Sequence, residues 1–282
     1  MKPLAWITGA NGLIGNALHH SAGQFAASWQ VRPLTRAVVD LTDSAALRAL
    51  HARERPALII HCAALSRSVD CQRDPQLARK VNVEATRLLA ELAQDAQFIF
   101  FSTDLVFDGR KGSYTEEDST YPLSAYAESK VEAETFVLQN PQHTVVRTSL
   151  NGGKSPAGNR GFNEEMVQAW KQGQTLRFFI DEFRSPIVAD VTARVVWELA
   201  NQNAAGLFHV AGSERMSRLE IGELVARCHP ELQPRYERAS LKEYQGAPRP
   251  PDTSMNCAKA QRYLSYRIPG LGEWLAHPGN TL

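Results

Sequence analysis

Apolar residues in the first half of the chain fall in short runs separated by stretches with helical spacing. Leu4 to Thr8, Gln30 to Leu34, Ala57 to Cys62, Gln97 to Ser102 and Thr144 to Arg147 read as strands. Ile14 to Ala22, Ser44 to Arg53, Pro75 to Asp95 and Ala125 to Gln139 read as helices. Strands apolar on both faces that alternate with helices predict a parallel sheet covered on two sides, a doubly wound α/β fold of Rossmann type. In such sheets ligands bind beyond the carboxyl ends of the strands.

The second half has a different texture. Gly152 to Gly161 is rich in Gly, Pro, Ser and Asn and reads as a loop. Phe162 to Gln172 has helical periodicity, Pro186 to Asn201 reads as a strand end followed by a helix, and Gly206 to Ala211 as a strand returning to the sheet. Arg218 to Cys228 reads as an amphipathic helix with Leu219, Leu224 and Val225 inward. The division this predicts is a dinucleotide-binding domain of residues 1–149 plus 186–211, and a smaller α/β substrate domain of residues 150–185 plus 212–282.

At 282 residues, with 43% hydrophobic and 22% charged positions, the composition is that of an ordinary globular protein. A formal net charge of +1 offers no basic field for nucleic acid. No apolar stretch is long enough for a transmembrane helix, and the first strand begins so early that a signal peptide is not expected. Cys62, Cys71, Cys228 and Cys257 lack metal-ligand spacing and predict reduced thiols in a cytoplasmic protein without a bound metal. A homodimer is compatible with all of this.

Two motifs carry chemistry. Thr8-Gly9-Ala10-Asn11-Gly12-Leu13-Ile14-Gly15 follows the first apolar run and opens a helix, the setting in which a dinucleotide pyrophosphate meets free backbone N–H groups and a positive dipole end. Far downstream, Tyr126-Ala127-Glu128-Ser129-Lys130 sets a phenol and an ammonium on one helix face. A cation beside a phenol favours the phenolate, so the pair suits proton transfer. Either motif alone fits a plain turn or a solvated helix face; together, in this order, they resemble the extended short-chain dehydrogenase/reductases. Ser102-Thr103-Asp104-Leu105-Val106-Phe107-Asp108-Gly109, Tyr114-Thr115-Glu116-Glu117-Asp118 and Pro122-Leu123 narrow the likeness. With Asp40-Leu41-Thr42-Asp43, Val81-Asn82, Arg147-Thr148-Ser149 and Arg249-Pro250-Pro251-Asp252, the chain resembles the dTDP-4-dehydrorhamnose reductase family over nearly its whole length.

That resemblance implies a reductase of a keto group on a sugar or nucleotide sugar. Tyr126 would be the proton donor, Lys130 would lower the Tyr126 pKa and bond the nicotinamide ribose, and Thr103 would hydrogen-bond the substrate oxygen; a strand-end capping turn is the plainer reading of Thr103 and Asp104. Cofactor contacts are implied at Gly9, Asn11, Gly12, Leu13, Ile14, Gly15, Arg36, Asp40, Leu41, Cys62, Ala63, Ala64, Tyr126 and Lys130. Arg36 follows the second strand with no acid before Asp40, which favours NADP(H) over NAD(H), although a surface arginine is common there. Substrate contacts are expected at Arg67, Asp104, Leu105, Val106, Phe107, Asn151 and Arg184. Leu105 stands where the family commonly has tyrosine, Cys62 where it has asparagine, and Arg67 and Arg184 where residues are usually small; two guanidinium groups would favour an anionic substrate. A second implied reading is a non-catalytic, nucleotide-binding subunit like the regulatory β subunit of methionine adenosyltransferase.

Overall fold

The computed structural model describes residues 2–282. Its centre is a six-stranded, fully parallel sheet made of β1 (Leu4–Thr8), β2 (Gln30–Leu34), β3 (Leu58–His61), β4 (Gln97–Thr103), β5 (Thr144–Thr148) and the closing strand Gly206–Val210. In space the order is Gly206–Val210, β5, β4, β3, β1, β2. The chain therefore reverses direction across the sheet between β1 and β3, and a crevice opens over their carboxyl ends. Register brings those ends level: Thr8 lies opposite both Leu34 and His61, and Thr103 opposite Thr148.

Alternation along each strand feeds two cores. Trp6, Ile59, Phe98, Phe100 and Val145 point to one face, against Leu47, Leu50, Leu88, Leu89 and Val137. Ala5, Ile7, Leu58, Ile60, Ile99 and Val146 point to the other, where helices α1 (Leu13–Phe25) and Ala189–Asn201 pack on them. Because both faces are covered, most strand residues are apolar, with Arg32 in β2 and Arg147 in β5 as exceptions, and the runs are readable in the sequence. α2 (Ser44–Glu54) starts where the Asp43 carboxylate accepts the N–H groups of Ala45 and Ala46 at 3.1 and 3.0 Å.

The second core does not stop at the sheet. Phe162, Met166, Trp170 and Phe178, together with Leu219, Ile221 and Val225, join the same apolar cluster as Ile7 and Ile60. Residues 150–185 and 212–282 thus form a layer over the strand ends that shares the core of the sheet. Asn151–Gly152 pairs in parallel with Ile187–Val188, so the stretch expected to be a loop begins with a short strand. Thr175–Phe179 and Arg235–Ala239 pair in parallel, and Phe183–Arg184 pairs with Met216–Ser217; the sequence did not announce these pieces.

The helix expected over Pro75 to Asp95 is interrupted. It runs as Pro75–Arg79, a π turn over Lys80–Glu84, and Ala85–Leu92. The wide turn re-aims Asn82, a familiar use of such irregularities. Among the described residues no helix is long and apolar enough to cross a membrane.

Candidate active site

A cleft of about 1340 Å³ runs along the carboxyl ends of β1 to β5 and under the second layer. One end is the glycine turn. Gly9 has φ 65°, and a Cβ there would stand 2.7 Å from the Ala63 nitrogen; a Cβ on Gly15 would stand 2.4 Å from the Gly9 carbonyl oxygen. Glycine is required at both positions for steric reasons. α1 begins at Gly12 without any side-chain cap, which leaves its first N–H groups facing the cleft. A turn this tight and an uncapped helix start fit a dinucleotide pyrophosphate.

Behind the turn, a buried polar chain holds β1 to β3. The Thr86 hydroxyl donates to the Asn82 carbonyl at 2.7 Å, so it accepts from His61 Nε2, 3.0 Å away. That leaves His61 Nδ1 as the acceptor for the Thr8 hydroxyl at 2.7 Å, while Thr8 Oγ1 accepts the N–H of Ala63 at 3.3 Å. Burial, aided by the Lys130 charge, pushes the His61 pKa down to about 3, so the imidazole serves here as a neutral brace. Cys62, Ala63 and Ala64 line the cleft next to this brace, and burial raises the Cys62 thiol pKa so that it stays protonated.

At the far side of the turn, Arg36, Asp40 and Leu41 also line the cleft. Asp40 is committed to a local turn: one carboxylate oxygen accepts from Thr42 N at 2.9 Å and Thr42 Oγ1 at 2.8 Å, which lowers its pKa. Arg36 is exposed and, among the described residues, forms no ion pair.

Helix Ala125–Val137 carries Tyr126 and Lys130 to the middle of the cleft. The start of this helix is clamped. Ser124 caps it through Ala127 N, and Asn82, aimed by the π turn, exchanges hydrogen bonds with Leu65 N (2.8 Å) and Leu65 O (3.1 Å) and donates to Ser129 Oγ at 3.0 Å. One turn beyond Lys130, Glu134 is held by the Arg147 guanidinium at 3.0 and 2.7 Å, a buried bidentate pair that ties the helix to β5. Asn82 is thus a positioning residue that its place in the Val81-Asn82 run could have revealed.

The electrostatics differ from the expectation in one respect. Burial, then the Asp104 charge, raises the Tyr126 pKa above the usual range, with the nearby Thr103 hydroxyl opposing, and Lys130 is not among the groups acting on it. Burial likewise pushes the Lys130 pKa down to about 7, against the pull of Glu134. Desolvation acts against charge in both side chains, so the phenol is kept protonated instead of being driven toward phenolate. Lys130 is 2% exposed, its Nζ lies 4.0 Å from the centre of the Phe100 ring, and among the described residues no group hydrogen-bonds its ammonium.

At the substrate end, Thr103, Asp104, Leu105, Asn151 and Arg184 line the cleft. Asp104 accepts from Thr103 Oγ1 (3.2 Å), Ser149 Oγ (2.7 Å) and Thr253 Oγ1 (2.9 Å). Asn151 spends its amide on Thr148, Ser149 and Thr192. Three expectations need correction. Val106 and Phe107 are fully buried away from the cleft, because the 3₁₀ turn Asp104–Val106 folds them inward against Tyr114 and Met255. Arg67 is not part of the cleft wall; it is exposed, and its guanidinium lies 3.8 Å from the Glu165 carboxylate. Arg184 lines the cleft but is only 4% exposed and already engaged: Glu182 lies at 3.0 Å, Asp104 at 3.8 Å, and the Phe183 and Pro250 carbonyls accept from it. The expected pair of free arginines does not form. Glu182, Arg218, Tyr244 and Arg249, not expected from the sequence, complete this end of the wall.

Comparison with known proteins agrees with this arrangement. A family profile described as RmlD substrate binding domain matches residues 4–277. The methionine adenosyltransferase 2 subunit beta of Xenopus laevis is 31% identical over 94% of this chain and 84% of its own. The dTDP-4-dehydrorhamnose reductase of Sinorhizobium fredii is 29% identical over 95% of this chain and 93% of its own. A dTDP-4-dehydrorhamnose reductase from Bacillus anthracis, solved in complex with NADP, shares the fold with a TM-score of 0.87 over 96% of both chains at 24% identity. The chain belongs to the RmlD substrate-binding family, within the NAD(P)-dependent oxidoreductases of the extended short-chain dehydrogenase/reductase class.

Proposed function

We propose that this protein is an NADPH-dependent reductase of a keto group on a sugar or nucleotide sugar. The observation that carries the reading is the meeting, in one cleft, of the glycine turn with Thr103, Tyr126 and Lys130. The glycine turn, Cys62 to Ala64 and Lys130 would hold NADPH, which when bound supplies the hydride. The chain supplies the rest. Tyr126, whose burial holds the phenol still further from ionisation than an ordinary tyrosine, is in the protonated state needed to give its proton to a carbonyl oxygen that gains negative charge. The Thr103 hydroxyl, whose one proton goes to Asp104 here, would offer the same oxygen a hydrogen bond by turning that proton from Asp104 to the substrate. Lys130, with no protein partner and a pKa near neutrality, is suited to bond ribose hydroxyls and to hand a proton back to Tyr126. The name of the Sinorhizobium relative supports a nucleotide sugar as substrate.

The other reading is a nucleotide-binding regulatory subunit, favoured by the likeness to methionine adenosyltransferase 2 subunit beta. Turnover separates them. NADPH consumption with a panel of 4-keto nucleotide sugars and simple keto-sugars should reveal a substrate, and Tyr126→Phe should preserve NADPH binding while lowering turnover by about 10²–10⁴-fold. Tight NADPH binding with no turnover across the panel would favour the subunit, whereas full activity in Tyr126→Phe would keep the reductase and remove Tyr126 as its proton donor.

A further inference from the structure

We infer that Arg218 anchors an anionic group of the substrate, a phosphate or a carboxylate, at a point remote from the reacting carbonyl. The inference rests on the reductase reading only for the word substrate; the anion site stands on its own geometry. The substrate end of the cleft holds a nearly buried set of charges. Glu182 is gripped by Arg249 at 2.6 and 2.9 Å and by Arg184 at 3.0 Å. Asp104 accepts three hydroxyls and lies 3.8 Å from Arg184. Both carboxylates and two of the guanidinium groups are therefore mutually satisfied.

Arg218 is left over. Its backbone N–H donates to the Glu182 carbonyl at 2.8 Å, which fixes the residue at the cleft wall where helix Arg218–Cys228 starts. Among the described residues its Nη1 is buried without a hydrogen-bond partner, although the residue lines the cleft. Glu182 and Asp104 are taken up by Arg249 and Arg184, Glu165 lies beside Arg67, and the Arg218 guanidinium forms no ion pair among the described residues. Burial and the Arg184 and Arg249 charges lower the Arg218 pKa to about 10 against the pull of Glu182 and Glu165, which still leaves it charged at neutral pH. A half-buried guanidinium that lines the cleft and has no hydrogen-bond partner on its side chain among the described residues is costly unless something pairs it, and a carboxylate or phosphate matches its planar donor geometry. Asp104 is next in sequence to Thr103, and Arg184 lies between Asp104 and Glu182. Arg218 is bonded through its backbone to Glu182, so it belongs to the Glu182 side of this charged set, whereas Thr103 belongs to the Asp104 side.

The test is binding to the full-length protein in the presence of NADPH, by calorimetry, with three probes: a nucleoside diphosphate (dTDP or UDP), glucuronate, and glucose as the neutral control. One of the anions should bind and glucose should bind far more weakly. Arg218→Gln should weaken the bound anion by about thirtyfold or more, the scale expected when a desolvated, hydrogen-bonded charge pair loses one partner. Arg218→Lys, which keeps the charge but not the fork, should lose several-fold less. NADPH affinity, unchanged in both variants, reports that the fold is intact. Binding of the nucleoside diphosphate identifies a phosphate as the partner, and binding of glucuronate identifies a carboxylate. Absence of binding by both anions, or a nucleoside diphosphate affinity indifferent to Arg218→Gln, would overturn the inference. Anion binding that depends on Arg218 in a protein that reduces no keto-sugar would instead count against the reductase reading alone.

Discussion

At the scale of single residues, burial sets the chemistry of this site. Lys130 has its ammonium over the Phe100 ring and lacks a hydrogen-bond partner, and its pKa falls from the ordinary 10.5 to about 7. A lowered amine pKa means that the unfolded chain binds more protons than the folded one between those two values. Stability therefore rises with pH across the interval from about 7 to about 10.5, and the full penalty is present below it. The Glu134 charge acts in the opposite direction and does not cancel the burial. Lys130→Met, which keeps the stem, should consequently stabilise the fold relative to the parent at pH 6.5 and gain progressively less toward pH 10, while turnover falls. Urea midpoints of both proteins at the two pH values check this; a stability difference independent of pH would mean that Lys130 is not desolvated in the fold. The Tyr126 and Lys130 pair was legible because its spacing alone puts both on one helix face. Val106 and Phe107 were misread because a motif, taken as a string, does not say which of its side chains the next turn sends into the core. The burial of Arg184 was equally hidden, since its partners Glu182, Asp104 and Pro250 come together only in three dimensions.

At the scale of elements, the strands of the central sheet could be read from runs that are apolar on both faces, and their ends then located the cleft. Thr175–Phe179 and Arg235–Ala239 could not be read in this way. The second is Arg-Tyr-Glu-Arg-Ala with four of five residues exposed, so it has little apolar pattern to betray it. The π turn over Lys80–Glu84 shifts the helical phase by a single residue, too little to disturb the periodicity of a long apolar helix. The turn after β2 carries the proposed cofactor preference. Asp40, the nearest acid, spends its carboxylate on Thr42, and Arg36 has no ion-pair partner among the described residues. A free guanidinium and no available carboxylate suit a 2′-phosphate better than a ribose diol. NADPH should accordingly bind at least several-fold tighter than NADH, and Arg36→Ala should bring the two affinities together chiefly by weakening NADPH. Fluorescence titration of each cofactor measures it, and equal affinities in the parent protein would remove Arg36 from the assignment.

At the scale of the whole molecule, the cleft exists because a second layer is fastened over the strand ends, and Asp104 is the polar centre of that fastening. Its carboxylate collects hydroxyls from the end of β4 (Thr103), from the segment after β5 (Ser149) and from the C-terminal segment (Thr253), and it lies beside Arg184 of the second layer. Around it the C-terminal segment is stitched to the rest by Phe183 N donating to the Pro251 carbonyl, Tyr114 N donating to Ser254 O, and Arg215 pairing with Asp252. The apolar cluster shared by sheet and layer supplies adhesion without direction, whereas the Asp104 bonds fix where the layer sits. Asp104→Ala would strip three buried hydroxyls of their acceptor and leave Arg184 with Glu182 as its one remaining carboxylate. Breaking a buried charged pair by removing one partner typically costs about 3–5 kcal/mol, and a loss in that range is expected here. Turnover should fall along with stability, because the layer that closes the cleft over Thr103 and Tyr126 loses its polar fastening. Asp104→Asn keeps the shape and one acceptor oxygen and should recover part of both. Denaturant unfolding of the two variants, followed with and without NADPH, measures these losses. A cost below about 1 kcal/mol for Asp104→Ala would mean that the apolar cluster alone positions the layer.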